Sequence, residues 1–160
     1  MMTTETEVKT LTALRASAVT SGLENKNLKK IAAITGEKSF SADALVYDAG
    51  ELGQAVYVIQ SGEVVIEMPV SDNTWVSVLT LGPGELFGWS SLFPTERKRA
   101  RARTTEPTHL LVINAQRLRT LWQNDEDLEY AIVHLTSKVM IDRIKVTRQK
   151  LIESVTTNFS

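Results

Sequence analysis

The sequence contains no cysteine and only two histidines. The lack of cysteine excludes disulfides, thiol nucleophiles and thiolate metal sites, and it fits a reducing compartment, so we expect a cytoplasmic protein. His109 and His134 are too isolated in the sequence to indicate a metal site, and without cysteine they assemble no catalytic triad. The sequence therefore predicts a protein that is not an enzyme and holds no metal.

An excess of either charge and a long apolar run are also missing. Eighteen basic and nineteen acidic residues leave a net charge of -1, which gives no broad positive field for nucleic acid. The longest stretch without Asp, Glu, Lys or Arg runs from Asn73 to Gly84 and is broken by glycine and proline, whereas a membrane span needs about 20 apolar residues. The segment from Met1 to Thr10 contains two glutamates and does not resemble a signal peptide, so we expect a flexible tail and no membrane contact.

The remaining pattern predicts one domain with helices at both ends. Apolar residues spaced by three and four between Leu11 and Ile34 indicate two short helices, which Ser21-Gly22 separates. From Phe40 onward, short β-rich runs alternate with Gly, Asp and Pro, as in a small barrel or sandwich. The predicted strands are Leu45–Tyr47, Ala55–Gln60, Glu63–Met68, Trp75–Thr80, Arg99–Thr104 and His109–Ile113.

Two further helices are expected after the last strand. Asn114 is a suitable N-cap for a helix from Ala115 to Leu121, and Asn124 or Asp125 for a long helix that reaches about Val155. The order of helices, short strands and helices predicts the α+β class.

Three segments, taken in order, resemble the cyclic nucleotide-binding domain family. The run from Gly50 to Val64 resembles its paired-glycine strand and hairpin, and Leu81 to Gly88 resembles the approach to its phosphate-binding cassette. Glu106 to Ile113 resembles the strand after the cassette. The resemblance covers about residues 23–151 and implies a small double-stranded β-helix barrel of the jelly-roll, cupin-like type, with N-terminal helices and a long C-terminal helix. It implies one domain over residues 11–155 that senses a ligand in signal transduction, as bacterial-type regulators do.

The cassette itself departs from the family pattern. The resemblance places Trp89 where the family has a ribose-binding glutamate, Lys98 where it has a phosphate-binding arginine, and Arg101 where it has a threonine, although a shift by one residue would substitute Arg97 or Arg99 for Lys98. The candidate ligand-binding residues are Phe87, Gly88, Trp89, Ser90, Ser91, Lys98, Arg99, Ala100 and Arg101.

These departures change the expected chemistry. An indole donates a hydrogen bond but accepts none, and a lysine is a point charge without the bidentate geometry of arginine. We therefore expect Trp89 to fill the ribose space, and cyclic nucleotide not to bind in the usual way. A small anionic ligand is one alternative. A true receptor for cyclic AMP or cyclic GMP, using Lys98 and the amides after Gly88, is another, and a protein-interaction module without ligand is a third.

Five basic residues fall between Arg97 and Arg103. If this run is a strand, its arginines share one face, while Lys98, Ala100, Ala102 and Thr104 share the other, which should face inward. The arginines then form a solvated sheet edge, pair with acidic groups across the sheet, or bind an anion or an acidic partner.

The last helix, about residues 125–155, has two apolar stripes. The first stripe consists of Leu128, Ile132, Leu135 and Val139 and should pack on the barrel. The second stripe consists of Val133, Ser137, Met140, Ile144, Thr147 and Leu151 and has the spacing of a coiled-coil seam. It predicts a homodimer, as for this helix in the family, and the alternative is one broad apolar face on a monomer.

In the catabolite activators of this family the helix leads into a DNA-binding domain. Here five residues follow Val155, so we expect no DNA-binding domain, no specific DNA binding, and action on a separate effector protein.

Overall fold

A computed structural model of the protein describes residues 4–93 and 96–159. The N-terminal helices are α1 (Thr4–Ala16) and α2 (Asn25–Ala32), with the predicted break between them. Residues 4–10 of the expected tail form the first turns of α1. Thr10 and Leu14 lie four residues apart and are both buried, so they fix this part of the helix to the domain. The rest of the predicted tail, residues 1–3, lies outside the described residues.

Eight strands form two antiparallel sheets. The strands are β1 (Thr35–Phe40), β2 (Leu45–Tyr47), β3 (Ala55–Ser61), β4 (Val64–Ser71), β5 (Thr74–Leu81), β6 (Leu86–Phe87), β7 (Arg101–Thr104) and β8 (Thr108–Asn114). Their order is β1-β8-β3-β6 in one sheet and β2-β7-β4-β5 in the other. The predicted α+β jelly-roll fold is confirmed, with the difference that two facing sheets replace a fully closed barrel.

The first sheet has an apolar core on each of its two faces. The core between the sheets contains Ile59, Val64, Ile66, Leu81, Phe87, Ala102 and Leu110. A second core lies between the first sheet and the helices, and includes Leu14, Leu28, Ile31, Val56, Leu111, Leu128 and Ile132. Neighbouring β8 residues enter different cores, Leu110 the first and Leu111 the second, because side chains alternate along a strand.

The remaining helices are α3 (Ala115–Gln123) and α4 (Glu126–Phe159). Both expected N-caps are present: the Asn114 side chain accepts a hydrogen bond from the amide of Arg117 at 2.9 Å, and the Asp125 side chain accepts one from the amide of Leu128 at 3.0 Å. No helix in residues 4–93 and 96–159 is long and apolar enough to cross a membrane.

The two stripes of α4 meet different surroundings. Leu128, Ile132 and Val139 of the first stripe are buried and Leu135 is half-buried, so this stripe packs on the domain as predicted. In the second stripe Met140 is half-buried, whereas the other members are exposed. From Ile144 onward every described side chain of the helix is exposed. The dimer seam is thus accessible, and its partner stays a prediction.

Candidate functional site

The strand that contains the end of the basic run begins two residues later than predicted, at Arg101 instead of Arg99. β7 begins at Arg101, and before it the amide of Lys98 donates to the carbonyl of Glu51 at 2.8 Å, while the amide of Gly50 donates to the carbonyl of Lys98 at 2.7 Å. This local pairing with residues 50–51 ends before β7 starts. Within β7 the expected alternation is confirmed, because Ala102 and Thr104 are fully buried.

Arg101 and Arg103 are both paired with a carboxylate across the sheet. The Nε atoms of both arginines donate to the Glu67 carboxylate of β4 at 3.0 Å. These bonds, led by that from Arg103, hold the pKa of the buried Glu67 below its usual range. Since β7 lies between β2 and β4, it is not an edge strand. Arg101 also stacks on Trp75 at 3.8 Å, so its guanidinium already has two partners.

The cassette turn depends on a glycine. Gly88 has a φ of 80° and precedes a short 3-10 helix, Trp89–Leu92. A Cβ atom at Gly88 would lie 3.0 Å from the ring of Tyr57 and 3.1 Å from the carbonyl oxygen of Ala55, so a larger residue would be strained and crowded. The next residue, Trp89, packs against the core between the first sheet and the helices.

A cavity of about 390 Å³ opens beside this turn, and we call it the cassette cavity. It brings together seven of the nine predicted ligand-binding residues: Phe87, Gly88, Trp89, Ser90, Lys98, Arg99 and Ala100. The other two, Ser91 and Arg101, do not line it. Sequence reasoning missed Tyr47 of β2 and Arg143 of α4, which also contribute to its wall.

Lys98 is a buried cation in this cavity. Its side chain is only 6% exposed, and its ammonium donates to the carbonyl of Gly88 at 3.2 Å and to the hydroxyl of Ser90 at 2.9 Å. It lies 4.4 Å from the centre of the Tyr47 ring. In the described part of the chain no carboxylate forms an ion pair with it. Burial lowers the pKa of Lys98 to about 8.

Further hydrogen-bond donors share the cassette cavity. The half-buried Arg143 guanidinium donates to the carbonyl of Leu86, and burial lowers its pKa. Burial raises the pKa of Tyr47, so its hydroxyl remains a neutral donor. Glu96 is the one acidic residue among the described lining residues, and it is exposed. The cavity therefore favours ligands rich in acceptors and negative charge.

Ser91 lies in a neighbouring space of about 410 Å³, whose wall also includes Lys98 and Arg97. Its side chain is 1% exposed, and its hydroxyl has no hydrogen-bond partner within residues 4–93 and 96–159. A Cβ atom on Gly53 would come within 2.1 Å of that hydroxyl, so glycine is required here for the backbone to approach Ser91. Ser91 thus contributes to the wall of this neighbouring space and not to that of the cassette cavity.

Comparison with known proteins gives the same fold. The sequence model of the cyclic nucleotide-binding domain matches residues 37–125. The cyclic AMP receptor protein of Thermus thermophilus is 37% identical over 68 residues, which cover 42% of this chain and 32% of that protein. The alignment thus spans about a third of the curated relative's length.

Two solved structures are similar over most of this chain. The first is a cyclic nucleotide-binding domain from Methylobacillus flagellatus KT, with a TM-score of 0.78 and 15% identity, and the match covers 94% of this chain and 84% of that one. The second is the regulatory subunit of a cAMP-independent protein kinase A from Trypanosoma cruzi, solved bound to guanosine. Its TM-score is 0.67 at 17% identity, and the match covers 84% of this chain and 50% of that one.

Proposed function

The chain belongs to the cyclic nucleotide-binding domain family, and from that premise we propose that it is a non-enzymatic regulatory module that binds a small anionic ligand in the cassette cavity. The ligand would lie against Lys98 and be reached by Arg143 and the hydroxyls of Tyr47 and Ser90.

The uncompensated charge of Lys98 is the observation that supports this most. Removing an ammonium from water costs several kcal/mol unless a nearby opposite charge offsets it. Lys98 has two hydrogen bonds and a ring face but no ion pair among the described residues. An anionic group that enters the cassette cavity would supply the missing counter-ion.

Recognition of cyclic nucleotide in the usual way is disfavoured by Trp89. The described lining offers no buried carboxylate to accept a ribose hydroxyl, because Trp89 stands at that position and Glu96 is exposed. In the Trypanosoma cruzi regulatory subunit the same fold holds guanosine. A ligand other than cyclic nucleotide is therefore compatible with this architecture.

A receptor for cyclic AMP is the second candidate. The local identity of 37% to the Thermus cyclic AMP receptor protein favours it, and a cavity of about 390 Å³ is within the usual range for small ligands. The two candidates differ in whether Lys98 meets a cyclic phosphate or the acidic group of another molecule.

Calorimetric titration at pH 7 separates these candidates. The panel contains inorganic phosphate, pyrophosphate, small mono- and dicarboxylates, cyclic AMP, cyclic GMP and cyclic dinucleotides. We expect at least one anion to bind and Lys98→Met to weaken it about tenfold or more, whereas Lys29→Met, an exposed lysine of α2, leaves it unchanged. Equal affinity for the wild type and Lys98→Met would refute the proposal, and tight, selective binding of cyclic AMP would favour the second candidate.

The pH dependence of the same titrations is a further readout. The pKa of Lys98 is about 8 without ligand, and a bound anion raises it, so the complex holds a proton that the free protein has partly lost. Affinity should therefore fall as the pH rises above about 8, and binding near that pH should take up protons. Lys98→Arg keeps its charge, so its affinity should stay constant from about pH 7 to 9.5.

We also propose that the module is a homodimer through α4. The support is the exposure of apolar seam residues such as Val133, Ile144 and Leu151, which are 55%, 48% and 65% exposed. A separate effector protein and a cytoplasmic location stay predictions.

A further inference from the structure

Two cations from different elements line the cassette cavity. Lys98 precedes β7 and is 6% exposed, whereas Arg143 belongs to α4 and is half-buried. Among the residues that the structure describes, no carboxylate forms an ion pair with either of them. Burial lowers the pKa of Arg143 and outweighs the nearby carboxylates of Glu85 and Asp142. Both charges are therefore available to a ligand.

Tyr47 of β2 contacts one of these cations and lies near the other. The ammonium of Lys98 is 4.4 Å from the centre of the Tyr47 ring. Burial raises the pKa of the Tyr47 hydroxyl, and the charge of Arg143 opposes this increase, as expected for a guanidinium close to the hydroxyl end of the side chain. Lys98 and Arg143 are thus neighbours on the wall of one cavity, and a single small molecule can reach both.

Much of the remaining wall is apolar. Ile66, Leu79 and Phe87 line the cassette cavity and also pack in the core between the sheets. Such side chains offer no hydrogen bonds, and they favour contact with hydrocarbon. A ligand with its acidic groups at Lys98 and Arg143 would therefore place a hydrocarbon body against this surface.

Two further arginines line the cavity but are less suited to hold an acidic group. Arg97 and Arg99 are exposed, and Arg97 donates to the carbonyl of Gly50 at 2.9 Å. Water and salt weaken the attraction between exposed charges, whereas the same attraction is stronger for a half-buried cation. After Lys98, Arg143 is thus the stronger attachment point.

From these features we propose that the ligand of the cassette cavity is a dianion, a short hydrocarbon chain with an acidic group at each end. One group would pair with Lys98 and the other with Arg143, because a planar guanidinium can hold a carboxylate by two parallel hydrogen bonds. A monoanion would leave one of the two cations without a counter-ion. This inference rests on the proposed function, since it requires that anions bind in the cavity, and it adds that two acidic groups are recognised together.

The first test compares ligands on the unmodified protein. Calorimetric titration at pH 7 with malonate, succinate, glutarate and adipate identifies the chain length that binds most tightly. That dicarboxylate is then compared with its own monoamide, which has nearly the same length and shape but one charge fewer. We expect the dicarboxylate to bind at least about tenfold more tightly, because the amide end loses its charge-assisted hydrogen bonds.

The second test changes the protein. Arg143→Gln removes the charge but keeps a donor for the carbonyl of Leu86. It should weaken the dicarboxylate about tenfold and the monoamide by less than about threefold, because the single charge of the monoamide lies at the more deeply buried Lys98. Lys98→Met should weaken both ligands. Arg148→Gln, which changes an exposed arginine of the same helix, should weaken neither.

The outcomes separate this inference from the proposed function. If the dicarboxylate and its monoamide bind equally and depend on Lys98 but not on Arg143, the ligand is a monoanion and only the dianion inference is wrong. Equal losses in Arg143→Gln and Arg148→Gln would mean general attraction to positive charge and would also overturn it. If no anion binds, or if Lys98→Met has no effect, the proposed function fails and the inference fails with it. If Arg143→Gln does not fold, the comparison of the two ligands on the wild type decides alone, and equal affinity rejects the dianion.

Discussion

The carboxylate of Glu67 in β4 links the two arginines of the neighbouring strand β7. Glu67 is 7% exposed and accepts hydrogen bonds from both arginines of β7. The Asp43 side chain is 78% exposed and pairs with Arg103. Glu67→Gln should lower the free energy of unfolding by about 2 kcal/mol, because two half-buried guanidinium groups lose the carboxylate that they share. Asp43→Asn is the matched control and should change it by less than about 0.5 kcal/mol.

Urea unfolding at pH 7 measures both changes, and similar values for the two variants would contradict the prediction.

The pKa of Glu67 is lowered in the folded protein, so its stabilising effect is complete above the ordinary glutamate pKa. It is lost as the pH falls through the lowered folded value. The difference between wild type and Glu67→Gln should therefore shrink in acid.

We expect Trp89 and Lys98 together to determine the affinity of the cassette for a cyclic nucleotide. Trp89→Glu combined with Lys98→Arg restores the two family side chains, and the double variant should gain measurable affinity for cyclic AMP or cyclic GMP. Trp89 also packs against the core between the first sheet and the helices, so Trp89→Glu will lower the melting temperature. Each single variant is the control in the calorimetry. Strong binding of cyclic AMP by the wild type would show that Trp89 does not fill the ribose space.

Among the elements, α4 provides the clearest test of assembly. Ile144→Glu with Leu151→Glu places two charges on the exposed seam, so a dimer should dissociate into monomers in sedimentation experiments. Met140 is half-buried against the domain, which makes it a poorer site for this change than the sequence suggested. Lys145→Glu, exposed on another face of the helix, should leave the dimer intact. A wild type that is monomeric at micromolar concentration would mean that the seam has no such role.

The elements also show which parts of the fold a sequence pattern can predict. β2 was predicted with its observed limits, Leu45–Tyr47, and a short β-branched or aromatic run between turn residues is a strong local signal. β1 was missed because four of its six residues are exposed, so Thr35–Phe40 has no apolar alternation. β6 was missed because it has only two residues. Pairing with β8 and β3 forms these strands, and such pairing is not visible locally.

At the scale of the whole molecule, the sequence predicts the site residues that lie in or near the cassette segment but not those that come from distant parts of the chain. The cassette turn brings Phe87 to Ser90 to the cavity wall, and the family pattern identifies these residues from sequence alone. Arg143 is far from the cassette in sequence and reaches the cavity because α4 packs back on the domain. The net charge of -1 likewise conceals the basic character of the cassette cavity.

Neighbouring residues of α4 line two different cavities, because Asp142 borders the space between the α1–α2 turn and α4, whereas Arg143 borders the cassette cavity. The helix has 34 residues, a length of about 51 Å at a rise of about 1.5 Å per residue, and Arg143 stands near its middle. In mechanical terms, α4 would act as a lever if it pivots at Arg143, whose guanidinium binds the carbonyl of Leu86. A tilt of about 5° there would move the far end, about 24 Å away, by about 2 Å. At Leu151, the last residue of the seam and about 12 Å from Arg143, the same tilt would give a displacement of about 1 Å.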